Sequence, residues 1–235
     1  MTIKEETMRE AGAKLRSIFS SIIPTLIPGT RLSNVDDDVA GLLKYWRARS
    51  ALRMLGFPGN IAISINTEVI QGVPDDRLLA AGDLVSLDMT LYYKGFFVDK
   101  AVSLVIEPRH YVKRYLADAA HRCLNTAIAG IRPGIKSGEI GALISAQAGA
   151  LKVRVSKEFF GHAIGESHHM KPLIPNFDDK SANLIKQGDF IALEPIVFYN
   201  YYVLRHKGFH VEADELSAHA EDTVLVTETG AEVIT

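Results

Sequence analysis

The chain has 235 residues, enough for one large domain or two small ones, and 47% of them are hydrophobic, which is ample for a core. A formal net charge of −2 excludes a sequence-independent electrostatic footprint for nucleic acid. Cys123 is the single cysteine, so no intrachain disulfide can form and a reducing cytoplasm is the expected compartment; the charged start MTIKEETMREAG has no apolar signal core, and no run approaches the ~18 apolar residues of a membrane span.

In chain order, Met8, Ala11, Leu15, Ile18, Phe19 and Ile22 recur at helical spacing, and Pro28-Gly29 is expected to stop that helix. A second helix is expected to start near Ser33-Asn34 and to carry Val35, Val39, Leu42, Leu43 and Trp46 on one face. The basic stretch from Lys44 to Arg53 reads as the solvated side of a helix. Gly56-Phe57-Pro58-Gly59 is a turn, and Ile61 to Ile65 a strand. Two strand-like runs between Leu84 and Ile106 meet at Lys94-Gly95, a hairpin signal. A third helix carries Val112, Tyr115, Leu116, Ala119, Cys123, Ala127 and Ile131 up to Pro133-Gly134. A shorter one carries Ile140, Leu143 and Ile144, and strands fill much of the rest.

The pattern repeats. Gly82-Asp83-Leu84-Val85-Ser86-Leu87-Asp88 resembles Gly188-Asp189-Phe190-Ile191-Ala192-Leu193-Glu194 at an offset of 106 positions, and Tyr93 matches Tyr199 at the same offset. The Pro-Gly stops at 28 and 133 lie 105 apart. Two halves, approximately 1–108 and 109–235, each of helix, helix and strands, are expected to pack as one α+β domain, 1–235, with the strands meeting in the middle.

Carboxylates sit where strands disfavour them. Asp88, Asp99, Glu194 and Glu221 all lie in or beside apolar β runs. Burying a carboxylate is costly unless it is paired or bound to metal. With a two-residue turn at Lys94-Gly95, Asp88 faces Ala101 and Asp99 becomes its diagonal neighbour on one face. Two carboxylates at that separation repel unless a cation lies between them. Any one of these acids alone would be read as a surface residue or an ion-pair partner. Four in apolar contexts, two of them related by the repeat, point to a metal site. Gly161-His162-Ala163-Ile164-Gly165 adds an imidazole between glycines that allow close backbone approach, and His168, His169 and Pro172 follow. No HExxH occurs, so a helix-borne single-zinc site is unsupported.

Taken together, these residues resemble the methionine aminopeptidases over essentially the whole chain. The likeness is carried by Leu87-Asp88 through Gly95 to Asp99, by Gly161-His162-Ala163-Ile164-Gly165 with His169 and Pro172, by Leu193-Glu194-Pro195, and by Glu221-Asp222-Thr223 leading into Val226-Thr227-Glu228. It implies the pita-bread (creatinase/aminopeptidase) fold, two pseudo-symmetric halves around a central curved antiparallel sheet. It also implies a monomeric cytoplasmic enzyme that removes the first residue, methionine, from peptides and nascent proteins, with transient contact to the ribosome. Asp99 and Glu221 would bridge two divalent ions, manganese, iron, cobalt or zinc. Asp88 would hold one ion, and His162 with Glu194 the other. Glu194 would be the acid/base group, and His169 would hydrogen-bond the substrate carbonyl.

The chain departs from the family pattern at several points. Asn66 to Pro74 places Gln71 where the family has a histidine contacting the scissile amide, and glutamine hydrogen-bonds but cannot protonate a leaving amine. His168 replaces an aromatic before the second histidine, and Ala62 stands where cysteine is common. Phe57 keeps an aromatic, and Phe209 would take the place of a pocket tryptophan. These changes allow two further readings. One is a related dinuclear peptidase of altered specificity, such as an X-Pro enzyme, although those usually carry an extra N-terminal domain. The other is a peptide-binding protein that kept the fold and lost catalysis.

Overall fold

The computed structural model describes residues 2–108 and 110–235. Helix α1, Ile3–Ile22, opens with a capping box in which Thr2 accepts from Glu5 N and the Glu5 carboxylate returns to Thr2 N. It buries every apolar residue that the sequence placed on its face. It stops at Ile22, earlier than Pro28-Gly29, because Pro24 starts a 3-10 turn over Ile23–Thr25 and lacks the N–H to continue an α-helix. Helix α2, Leu32–Trp46, starts slightly ahead of the expected cap and has no side-chain cap. Ser33 lies inside its first turn, donating its N–H to Asp75 O and its hydroxyl to Asp76. A distant segment therefore satisfies the helix end, which local sequence could not reveal.

The short pieces β1 (Arg49–Ser50), α3 (Ala51–Met54), β2 (Ala62–Ile65) and β3 (Glu68–Ile70) lead to the hairpin of β4 (Leu84–Tyr93) and β5 (Phe96–Val105). Lys94 and Gly95 both have positive φ, 47° and 94°, the backbone that matches strand twist in a two-residue turn. The register is the expected one, with Asp88 opposite Ala101 and Thr90 opposite Asp99. Helices α4 (Tyr111–Gly130) and α5 (Ser137–Ala150) follow, then β6 (Arg154–Val155), β7 (Phe160–Ala163), β8 (Met170–Pro175), β9 (Phe190–Leu193) and β10 (Ile196–Phe198). The chain closes with β11 (Leu204–Lys207), β12 (His210–Ala213), β13 (Ser217–His219), β14 (Glu221–Val226) and β15 (Ala231–Val233).

Nine strands form the main antiparallel sheet, in the order β1-β4-β5-β14-β9-β7-β8, with β2 beside β4 and β15 beside β14. Two small sheets, β13-β10-β6 and β11-β12-β3, flank it. The repeat-related segments occupy equivalent places: β4 and β9 lie one strand out from the central β5/β14 pair. They enter the sheet through the same turn. Gly82 and Gly188 have φ of 80° and 87°, and their N–H groups bond Ile106 O and Val226 O. Asp83 and Asp189 each accept from the N–H three residues earlier, at Ala80 and Lys186. Helix α1 rests on β4 and β5, and α4 rests on β5, β9 and β14, each over its own apolar cluster. This mixed helical and antiparallel architecture is the pita-bread fold.

Residues 231–235 are part of this frame. Ile234 N donates to Thr223 O, and the Arg16 guanidinium meets Ile234 O from α1. A Cβ added at Gly12 would stand 2.1 Å from Ile234 O. Gly12→Ala should therefore destabilise the protein by about 1–3 kcal/mol through forced separation of α1 from this segment, read as a lowered urea midpoint at unchanged m-value. An unchanged midpoint would show that α1 is free to shift.

Candidate metal centre

Five neighbouring strands present the candidate residues. Asp88 lies on β4 opposite Ala101 of β5, and Ala101 lies opposite Glu221 of β14. Asp99 is two residues from Ala101 and so on the same side of β5. Asp222 pairs with Leu193, which puts Glu221 alongside Glu194 at the end of β9. His162 of β7 pairs with Ala192, two residues before Glu194. Asp88, Asp99, His162, Glu194 and Glu221 all line one cavity of about 360 Å³, together with Gln71, Thr90, His168 and His169.

The backbone around these side chains is tied down. Thr223 Oγ1 accepts from Asp99 N at 2.8 Å and donates to Asp99 O at 3.0 Å. Thr235 Oγ1 donates to Asp99 O at 2.9 Å and accepts from Thr223 N. Threonine hydroxyls thus replace ladder bonds where β5 and β14 diverge. Asn176, fully buried, donates to both Phe159 O and Glu194 O and sets the chain leaving β9. At Gly161 an added Cβ would meet Ala192 O at 2.4 Å, so glycine is needed for β7 to carry His162 against β9. Gln71 sits at the rim with φ 57°, and its neighbour Gly72 passes so close to Ile63 O that a Cβ would stand 2.2 Å away.

Charge is the dominant feature of the cavity. Burial and the neighbouring Asp99 push the Asp88 carboxyl up to about 8. Burial, with repulsion from Asp88 and Asp99, raises Glu194 well above the carboxylate range. Burial, with Asp99 and Glu194, does the same to Glu221. Asp99 goes the other way: burial opposes its ionisation, but His168, His162 and Thr90 hold it at about 2. His168 Nε2 lies 3.0 Å from Asp99 Oδ2 and 2.8 Å from Thr90 Oγ1. Its ring stacks on His169 at 3.9 Å, and His169 meets His162 edge-on at 4.4 Å. Burial and the two adjacent imidazoles press His169 down to about 4, and burial lowers His162 as well.

The donor set fits divalent cations. Ligand atoms of Asp99, His162 and Glu221 lie within 4.8 Å of one another, and Glu221 Oε1 is buried with no hydrogen-bond partner. Carboxylate oxygens with one imidazole suit hard or borderline ions.

The structure separates the expected substrate residues. Gln71, His168 and His169 line the cavity, whereas Phe57, Ala62 and Phe209 do not. Phe57 and Ala62 are buried with Leu52, and half-exposed Phe209 packs edge-on against Phe57 at 5.8 Å. Ala62 is the partner of Asp88 in the β2–β4 ladder. His168 lines the cavity as expected of a pocket residue and also contacts Asp99. Sequence reading missed the lining by Leu52, Ile70, Phe159, Phe160 and Leu173, and it missed His219 beneath. His219 is 1% exposed, and burial lowers its imidazole to about 4. Its one sequence signal is a period-2 relation to Glu221.

These shifts set a pH dependence. Between pH 6.5 and about 8 the folded, metal-free protein keeps a proton on Asp88 that the unfolded chain has released, and Glu194 and Glu221 are shifted in the same direction, so its stability falls as pH rises. Below 6.5 the buried histidines His169 and His219 oppose this, because only the unfolded chain protonates them. The Tm of metal-free protein should drop from pH 6.5 to 8, and saturating Mn(II) should flatten the slope. A rising Tm over that window in metal-free protein would refute the charge assignment.

Comparison with known proteins agrees with this geometry. The pattern of metallopeptidase family M24 matches residues 6–228. The methionine aminopeptidase of Mycoplasma capricolum is 31% identical over 246 residues, covering 100% of this chain and 98% of that protein. That of Escherichia coli K12 is 30% identical, covering 98% and 90%. The crystal structure of methionine aminopeptidase from Thermotoga maritima superposes with a TM-score of 0.95 at 27% identity, covering 100% of this chain and 98% of that one. A prolidase from Pyrococcus furiosus, at 21% identity, TM-score 0.77 and 64% coverage of its own length, shares the fold. With a family match spanning nearly the whole chain and a carboxylate–imidazole cavity at the centre of its sheet, the protein belongs to metallopeptidase family M24.

Proposed function

We propose that the protein is a methionine aminopeptidase, hydrolysing the first peptide bond of peptides and nascent proteins with two divalent ions in the cavity. The observation that carries this reading is the convergence of Asp88, Asp99, His162, Glu194 and Glu221 from five adjacent strands on one cavity, where burial and neighbouring acids raise three of the carboxyls.

Asp88, Asp99, His162, Glu194 and Glu221 would hold the ions, Asp99 and Glu221 from the two central strands. When bound, the ions supply Lewis acidity and activate a water near neutral pH. The rest falls to the chain itself. Glu194, whose carboxyl retains a proton readily, would take the proton of the attacking water and hand it to the leaving amine. His169, kept neutral by its neighbours, would donate a hydrogen bond to the scissile carbonyl oxygen as negative charge develops there. Gln71, at the rim, would hydrogen-bond the scissile amide without a proton to give. Leu52, Ile70, Phe159, Phe160 and Leu173 would surround the first side chain. His168 fixes Asp99 through Nε2.

Residues 1–235 are read as one catalytic domain of two repeated halves, supported by the matched turns at Gly82 and Gly188. A cytoplasmic monomer that meets nascent chains at the ribosome is part of the same proposal. No helix among the described residues is long and apolar enough to cross a membrane.

Metal-loaded protein assayed on Met-Ala, Leu-Ala and X-Pro peptides should cleave Met-Ala fastest. Preference for X-Pro would make it a proline-specific relative, and metal binding without turnover on any peptide would leave a peptide-binding protein. Gln71→His should raise kcat by about tenfold or more, less than the full general-acid contribution of ~10²–10⁴ because a water can deliver the proton in part. Histidine tolerates the positive φ of that position better than most residues. An unchanged kcat would show that proton delivery does not limit the reaction.

A further inference from the structure

The centre has a group on its far side that no role above uses. His219 ends β13, opposite Ile196 of β10. It is not among the residues that line the cavity. Its backbone is fully engaged: His219 N donates to Ser103 Oγ at 2.7 Å, and Ser103 Oγ donates back to His219 O at 2.8 Å. Ser86 Oγ, 2.6 Å from Ser103 Oγ, completes that network. The imidazole is thus fixed at its root, yet His219 Nε2 is buried with no hydrogen-bond partner. It faces Glu194 Oε1 at 3.6 Å and Glu221 Oε2 at 3.9 Å. A buried polar nitrogen without a partner is costly, and the carboxylates within 4.0 Å of it among the described residues are those of two proposed metal ligands, one of which has an oxygen that is itself unpartnered. The two separations become hydrogen bonds after shifts of roughly 0.4 and 0.7 Å.

We propose that His219 is a positioning residue of the metal centre, its Nε2–H holding the carboxylates of Glu194 and Glu221 from behind so that their free oxygens face the ions. This rests on the dinuclear reading above and adds a residue behind the carboxylates. Glu194 and Glu221 come from β9 and β14, and each has a side chain long enough to rotate away from the cavity. One donor shared between them fixes both rotations and their spacing. Neither strand could do so alone, because the donor comes from the small sheet behind them. Outer partners of this kind typically change metal affinity by about 10–100-fold.

The test is a calorimetric titration of Mn(II) into metal-free wild type, His219→Gln and His219→Leu, with the visible spectrum of the Co(II)-loaded proteins as a second readout. His219→Gln keeps a donor that reaches the carboxylates, and His219→Leu removes it. The expected result is unchanged stoichiometry, affinity weakened about 10–100-fold in His219→Leu, and restoration to near wild type in His219→Gln with an unaltered Co(II) spectrum. Thermal unfolding of the metal-free variants checks that the fold is intact. If His219→Leu fails to fold, His219→Asn, which is polar but too short to reach, takes its place. Wild-type affinity in the variant without a reaching donor would overturn the proposal, as would a His219→Gln protein no tighter than that variant. A Co(II) spectrum altered in His219→Gln would also overturn it, by making the imidazole a direct ligand. Wild type that binds no Mn(II) would overturn the metal centre itself, a distinct result.

Discussion

Mutual repulsion among four carboxylates in one small cavity is the constraint around which the rest of the molecule is arranged. Asp88, Asp99, Glu194 and Glu221 approach one another because their strands are hydrogen-bonded neighbours. Without a cation, burial and the neighbouring acids raise Asp88, Glu194 and Glu221 above the usual carboxylate range, whereas Asp99, held by His168, ionises readily. Left to themselves, such groups would turn outward to water. They are kept inward by backbone that cannot move: β4 and β5 are paired along ten residues each, and the Asp99 peptide is bonded to Thr223 and Thr235. A protein that stores unfavourable electrostatics in this way gains back stability only from a ligand of opposite charge, and that ligand is what makes the cavity reactive.

The duplication supplies the geometry economically. Two stretches of the chain use the same glycine turn and the same aspartate-capped corner to enter the sheet, at Gly82-Asp83 and Gly188-Asp189. Placed side by side in antiparallel fashion, they set an acid of each half on facing sides of the central strand pair. The halves are not identical. The first half contributes Asp88 and Asp99, compact ligands on a long continuous hairpin. The second contributes glutamates at strand ends and a histidine, and needs outside braces: Asn176 for the Glu194 backbone, a glycine at 161 for the approach of His162, and His219 behind the carboxylates. The asymmetry gives one rigid edge and one edge whose ligand orientation depends on contacts from neighbouring elements.

Histidines divide the labour by position. His162 lies at the floor among the carboxylates. His168 and His169 stack at one side, where each imidazole disfavours charge on the next, so that Asp99 beside His168 and a neutral His169 are two consequences of one arrangement. Gln71, also lining the cavity, brings hydrogen bonding without acidity. It is not among the proposed metal ligands, so a change there can tune the rate while leaving metal binding.

The sequence by itself determined the fold class, the hairpin register and the five candidate ligands. These follow from period-2 and period-3.6 patterning, from a two-residue turn that fixes which residues face one another, and from acids placed where strands disfavour them. The family resemblance supplied the order of the ligands and their expected roles. Helix ends were less legible: Pro24 rather than Pro28 ends α1, and α2 is satisfied by Asp75 and Asp76 from a distant loop. Only the tertiary structure decided what lies behind and beside the ligands. Thr235, Asn176 and His219 reach the site across long sequence separations or from another sheet, and beyond the period-2 relation of His219 to Glu221 nothing in their local context marks them. His168, expected in the pocket from its place before His169, lines the cavity, and its contacts with Phe97, Thr90 and Asp99 on other strands, which local sequence does not show, bring its ring to a carboxylate as well. Local patterning reports which face a residue takes; which atom it then meets depends on strands and loops far away in the chain.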